Sequence, residues 1–150
     1  WRDVGTIDSY YEANMDLLAP VPVFNLYNDK WPVFTSHESH PPAKVSRGAG
    51  GEPSFVDGSL LSNGSIVSGG HVEGSIVAPD VIIHHDSHVT GSILFPGVKV
   101  GPGARINRCI VDKNVVIPPG VRIGYDLEAD RQRFTVSDRG IVVIPKGYVL

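Results

Sequence analysis

His84, His85 and His88 crowd into five residues, and imidazole nitrogens at that spacing invite a zinc reading. A structural or catalytic zinc needs further well-placed ligands and outer partners that orient the rings. The neighbouring residues supply neither, so these three read as solvated residues at a turn. Cys109 is the one thiol, set before Ile110 and Val111. Apolar surroundings raise a thiol's pKa and make it inert, so Cys109 reads as a packing residue. His71, His88, Arg105 and Arg122 recur every 17 residues, each just before a large apolar residue. A basic column of that kind repels itself unless carboxylates, an anion or a partner surface relieve it, or the side chains splay into solvent.

That column implies a fold in which residues 17 apart become neighbours. The apolar residues from Leu60 onward say the same: Leu60, Ile66, Val72, Val77, Ile83, Val89, Leu94, Val100, Ile106, Val111, Ile117 and Ile123 step by 6, 6 and 5, repeatedly. Two positions before each lies a mostly smaller residue, from Gly58, Gly64 and Gly70 through Ser75, Ser87, Ser92, Ala104 and Cys109. Large and small inward positions alternating around a triangular coil describe a parallel β-helix of hexapeptide repeats, about four coils long between Gly58 and Gly124. The 21 Val and 12 Ile against 8 Leu and 7 Ala agree with an all-β chain. Gly140–Lys146 reads as one more strand closing the stack after a polar excursion from Tyr125 to Asp138.

Upstream, Thr6 is placed to cap a helix whose Ile7, Tyr10, Tyr11, Met15 and Leu18 share one face before Pro20 and Pro22 end it. So short a helix is marginal in water and needs a surface. Because its partner is expected upstream of Trp1, we expect this first segment to be mobile or swapped onto another chain. An extended aromatic segment follows (Phe24, Tyr27, Trp31, Phe34), and then a loop from Thr35 to Glu52. The expected organisation is 1–19 as the terminal helix of a preceding domain, 20–57 as linker and loop, and 58–150 as the β-helix.

A net charge of −3 excludes a strongly basic nucleic-acid scaffold, and no apolar run approaches the ~18 residues of a membrane span. A single Cys excludes an internal disulfide and suits a reducing compartment, so the expected location is cytoplasmic, with no nucleic-acid or membrane partner.

Trp1-Arg2-Asp3-Val4-Gly5-Thr6-Ile7-Asp8, with Tyr10-Tyr11, Ala13-Asn14 and Asp16-Leu17, resembles the end of the nucleotidyltransferase domain of bacterial ADP-glucose pyrophosphorylases. Pro41-Pro42-Ala43-Lys44, Ser68-Gly69-Gly70, Cys109-Ile110-Val111-Asp112-Lys113 and Gly140-Ile141-Val142-Val143-Ile144 match the same family in the same order. The resemblance implies a left-handed β-helix serving allosteric control and subunit assembly. The parent would be a Mg²⁺-dependent enzyme that makes ADP-glucose from ATP and glucose 1-phosphate for glycogen synthesis. It implies a homotetramer whose sister subunits and catalytic domain contact this part, and phosphorylated metabolites as effectors. Asp3 would be one of two carboxylates holding Mg²⁺ in the intact enzyme. Lys113 and Lys146 would be effector-anion ligands, with Lys44 a third candidate. The family's nucleotide-binding loop has no counterpart in this sequence, so the chain alone is expected to be inactive and to carry no cofactor.

Read without the resemblance, Lys113 and Lys146 are ordinary surface lysines and Asp3 an exposed carboxylate beside Arg2. The competing functional reading is a hexapeptide-repeat acyltransferase with an acyl-CoA donor and a catalytic His in a trimer cleft. A third is a purely structural interaction module. Acetyl-CoA binding would separate the acyltransferase from the nucleotidyltransferase reading, and phosphate-metabolite binding would separate the structural module from it.

Overall fold

Short β-branched strands separated by turns wind here into three parallel sheets. A computed structural model describes residues 2–33 and 38–150; Trp1, Phe34 and the start of the loop at Thr35 lie outside the described residues. The first sheet contains Lys44–Ser46, Ile66–Ser68, Ile82–Ile83, Lys99–Val100 and Val116–Ile117. The second contains Phe55–Asp57, His71–Glu73, His88–Thr90, Arg105–Asn107 and Arg122–Ile123. The third runs through Leu60–Leu61, Ile76–Val77, Ile93–Leu94, Cys109–Val111 and Val142–Ile144, with Thr135–Val136 antiparallel at its end. The chain visits the three sheets in turn, so strands adjacent in a sheet come from successive circuits of a β-solenoid.

The inward columns form the core. Val72, Val89, Ile106 and Ile123 stack behind one face of the prism, and Ile83, Val100 and Ile117 behind the second. Val77, Leu94, Val111 and Ile144 stack behind the third, and all are fully buried. The smaller positions are satisfied from within: Ser92 and Cys109 donate their amides to the hydroxyls of Ser75 and Ser92, 3.1 Å each. Buried hydroxyls without such partners would be costly.

The first circuit corrects the register read from the sequence. Leu61 and Val67, not Leu60 and Ile66, face inward, because Val67 pairs with Ile83 and Leu61 with Val77. The Ser68-Gly69-Gly70-His71 corner is one residue shorter than its counterparts, and a one-residue slip turns every upstream side chain to the opposite face. The close packing there explains the glycines: a Cβ on Gly70 would lie 2.9 Å from the His84 carbonyl oxygen and from Ile83. The strands Lys44–Ser46 and Phe55–Asp57 also belong to the stack, upstream of the Gly58 where the repeat becomes legible.

The helix α1 (Ile7–Met15) is not left without a surface, contrary to the expectation from sequence. Thr6 and Ser9 form a reciprocal capping box, and a 3₁₀ turn, Asp16–Leu18, follows. Its Ile7, Tyr10, Tyr11 and Met15 pack on the outward residues of the third sheet, Ile76, Ile93, Ile110 and Val143, and on Ile141. Tyr11 donates to the Gly91 carbonyl at 2.6 Å, and the Arg108 guanidinium lies 5.6 Å from its ring centre. Ser137 bonds Asp8 and Arg139 pairs with Glu12. The partner surface is the chain's own solenoid, whose third sheet is apolar on both faces.

The C-terminal end of the stack is closed by α2 (Leu127–Arg131), a short helix within what reads from sequence only as a polar excursion. Asp126 caps it, and its buried Asp130 accepts the Gly124 amide at 2.8 Å. Among the described residues, no helix is long and apolar enough to cross a membrane.

Candidate functional site

Lys113 and Lys146 are 33 positions apart in sequence and neighbours in the fold. Val111 pairs with Ile144, so each lysine sits two residues beyond one member of that pair, on successive circuits at a spacing of ~4.8 Å. Asp112 ties the two turns together: its Oδ1 accepts the Lys113 amide at 2.7 Å and its Oδ2 the Lys146 amide at 3.2 Å. The carboxylate is therefore committed to backbone donors, and both lysine side chains are exposed. The two turns thus root both lysines at one corner, on adjacent circuits. Nothing local in the sequence announces the part played by Asp112; only the pairing of the two strands reveals it.

Lys44 does not join this corner. It lies in the first sheet's outermost strand, four strand spacings (~19 Å) from Val116, which follows Lys113. Asp3 is exposed, and its Oδ1 accepts the Gly5 amide at 3.1 Å. Among the described residues it belongs to no cluster of three metal-ligating groups. Mg²⁺ is held through several hard oxygens in near-octahedral array. Asp3 offers one exposed carboxylate toward such an array.

The basic column stands in register along the second sheet: His71 pairs with His88, His88 with Arg105, and Arg105 with Arg122. Three of its four members pack against rings. The His71 ring lies 4.6 Å from Phe55 and 5.2 Å from His88, nearly parallel to both. Glu73 faces the His71 Nε2 at 3.3 Å, and the Arg122 guanidinium covers the Tyr125 ring at 4.9 Å. His71, His88 and Arg122 thus pack against rings, while Arg105 stands exposed between them.

His84, His85 and His88 part company. His84 is exposed, and His88 lies in the column with its Nδ1 3.2 Å from the Asp86 carbonyl oxygen. His85 turns toward two carboxylates, with its Nδ1 2.9 Å from Asp86 Oδ2 and Glu52 beside it. The hydrogen bond to Asp86, followed by the charges of Asp86 and Glu52, raises the His85 imidazole above its ordinary value. Glu52 lies 33 residues upstream, so its approach is invisible in the sequence.

Cys109 is fully buried, and burial pushes its thiol up to about 12. Ionising it in the folded state is costly, whereas the unfolded thiol ionises near 9.0. The folded pKa is the higher one, so this group leaves stability unchanged below about pH 9 and erodes it as pH climbs from there toward 12. Iodoacetamide at pH 8 is expected to leave native Cys109 unmodified and to alkylate it fully in denaturant. Equal rates in both states would contradict its burial.

A shallow cavity of ≈ 250 Å³ marks the seam between α1 and the solenoid, lined by Asp8, Tyr11, Glu12, Arg108, Arg139 and Ile141. Arg108 adopts a left-handed φ of 52° there and donates to the Arg139 carbonyl at 3.1 Å. Bulky residues take that conformation only where surrounding contacts enforce it.

Three parallel sheets wound in five- and six-residue steps around a buried aliphatic column, with a basic corner on the last circuit, define a hexapeptide-repeat β-solenoid. The model of the family described as "GlmU-like, C-terminal hexapeptide" matches residues 41–144, and the chain belongs to that family. Among curated proteins it is 58% identical to the glucose-1-phosphate adenylyltransferase of Anaeromyxobacter dehalogenans, over 98% of this chain and 36% of that protein. It is 54% identical to the glucose-1-phosphate adenylyltransferase of Kocuria rhizophila, over 99% of this chain and 36% of that protein. The corresponding enzyme of Arthrobacter sp. is 50% identical over 98% of this chain and 32% of its own length. The chain spans about a third of the curated relatives it matches.

Proposed function

We propose that this chain is the allosteric and subunit-assembly part of a glucose-1-phosphate adenylyltransferase, and that Lys113 and Lys146 bind the phosphate of a metabolite effector. The parent enzyme joins ATP and glucose 1-phosphate into ADP-glucose and pyrophosphate in the cytoplasm, as a homotetramer. The chain on its own is catalytically silent. The observation that carries the effector assignment is the corner at Asp112, which aligns both lysines on adjacent circuits. As lysines they act as point charges rather than bidentate forks, and this favours recognition of charge over planar geometry.

The same end of the solenoid also touches α1. Ser137 and Arg139, which hold Asp8 and Glu12, lie in the turn leading into the Val142–Ile144 strand. Lys146 lies just beyond that strand, and α1 follows directly on the Asp3 segment. Binding at the corner therefore acts on an element continuous with the region that this reading assigns to the catalytic domain.

The test is Lys113→Ala and Lys146→Ala in the intact enzyme, titrated with a panel of sugar phosphates and with inorganic phosphate. Each substitution is expected to raise the half-activating concentration by ~10-fold, about 1.4 kcal/mol, with unactivated turnover intact. Lys44→Ala, distant from the corner, separates its own candidacy from theirs. Activation unchanged in both corner variants would sink the assignment.

A further inference from the structure

We propose that Glu52, His85 and Asp86 form a site for a divalent transition-metal ion of the zinc class, at the corner where the turn Arg47–Glu52 folds over the solenoid. One ligand atom from each residue lies within 4.8 Å of the other two. The turn is shaped around the Glu52 carboxylate. A Cβ on Gly48 would fall 2.3 Å from one of its oxygens, and a Cβ on Gly50 would fall 2.2 Å from the other. An alanine at either position would push that flexible side chain away from its place beside His85. The turn is locked by backbone bonds from Gly48 to the Glu52 carbonyl and from Gly51 to the Gly48 carbonyl, 2.9 Å each. The Gly50 amide fixes Glu52 Oε2 at 3.1 Å. On the solenoid side, Asp86 takes a left-handed φ of 57°, with its carboxylate oxygen 2.9 Å from His85 Nδ1.

The charge balance also favours a cation. Two carboxylates meet one imidazole, and among the described residues no lysine or arginine bridges Glu52 or Asp86; the Arg47 guanidinium donates to the Gly51 carbonyl instead. The donor set chooses the ion class. An imidazole nitrogen turns the site away from Mg²⁺ and Ca²⁺, the absence of thiolate among its donors turns it away from Cu⁺, and one nitrogen with two carboxylate oxygens suits Zn²⁺, Co²⁺ or Ni²⁺. Three protein ligands leave a position for water, the pattern of an open rather than a closed zinc site. This site is separate from the Asp112 corner and stands or falls independently of the effector assignment.

Zn²⁺ titrated calorimetrically into the chain is expected to bind at one equivalent and to raise the unfolding midpoint. Co²⁺ in its place is expected to broaden the His85 ring resonances selectively. Loss of an outer-shell partner alone typically costs 10–100-fold in metal affinity, so Glu52→Gln and His85→Ala are each expected to weaken binding by at least ~100-fold. His84→Ala and His88→Ala are expected to bind as the parent sequence does. Glu52→Gln keeps the size and shape of the side chain, so it decides the matter even if His85→Ala folds poorly. No saturable uptake up to millimolar ion, or uptake indifferent to Glu52→Gln, overturns the proposal and leaves His85–Asp86 as an ion pair only.

Discussion

Replacing Ile106 with alanine is expected to lower the unfolding free energy by about 2–5 kcal/mol, the range for emptying a fully enclosed aliphatic position. Ile106 is fully buried and pairs in register with Val89 on one side and Ile123 on the other. A vacancy there opens between two circuits whose backbones are held by continuous parallel pairing, so the site collapses little. A domain of this size is stable by ~5–15 kcal/mol, so the variant loses a large share of the total. Ile82→Ala removes the same atoms from an outward, half-buried position of the first sheet and is expected to cost well under half as much. Denaturant unfolding of the two variants side by side checks both numbers. Equal losses would mean that the inward column is not the core.

Gly124→Ala is expected to be as damaging, through clash rather than vacancy. Gly124 has a φ of +83°, and a Cβ there would lie 1.8 Å from the Asn107 carbonyl oxygen. Relief by movement is blocked on both sides, because the Gly124 amide donates to buried Asp130 and its carbonyl accepts from the Asn107 side chain. A left-handed conformation costs a non-glycine residue about 1–2 kcal/mol, and forced overpacking about 1–3 kcal/mol more. Gly120 is the control: its φ is +70° but nothing lies within 4 Å of its would-be Cβ. Gly120→Ala is therefore expected to show the backbone cost alone, ~1–2 kcal/mol. Thermal melts that rank Gly120→Ala as the worse variant would contradict the close approach at Asn107.

The relation between the two lysines shows how far local spacing reaches. Their outward placement follows from counting past Val111 and Ile144, but their shared corner requires knowing that the strand Val142–Ile144 lies on Cys109–Val111, across an excursion of about thirty residues. The repeat has no fixed period through that excursion, so periodicity alone carries no information about which circuit the returning strand joins.

The solenoid from Val72 to Ile123 was written in the chain's own pattern, because each circuit takes the same 17 residues and its core contacts lie one repeat away. A strictly periodic inward column leaves little freedom in what pairs with what, and the ladder from His71 to Arg122 followed from the same count. Three features needed the folded chain. The first circuit's register turned on one missing residue at Ser68-Gly69-Gly70, and only the pairing of Val67 with Ile83 reveals that shorter corner. The surface for α1 was the third sheet's outward isoleucines, which period-two reasoning treats as solvent-facing until a helix covers them. The approach of Glu52 to His85, and of Lys146 to Lys113, joins segments whose separation in sequence bears no relation to the repeat. Contacts within the repeat are fixed by local spacing; contacts between the repeat and its flanking segments depend on where those segments land, and that is settled by packing.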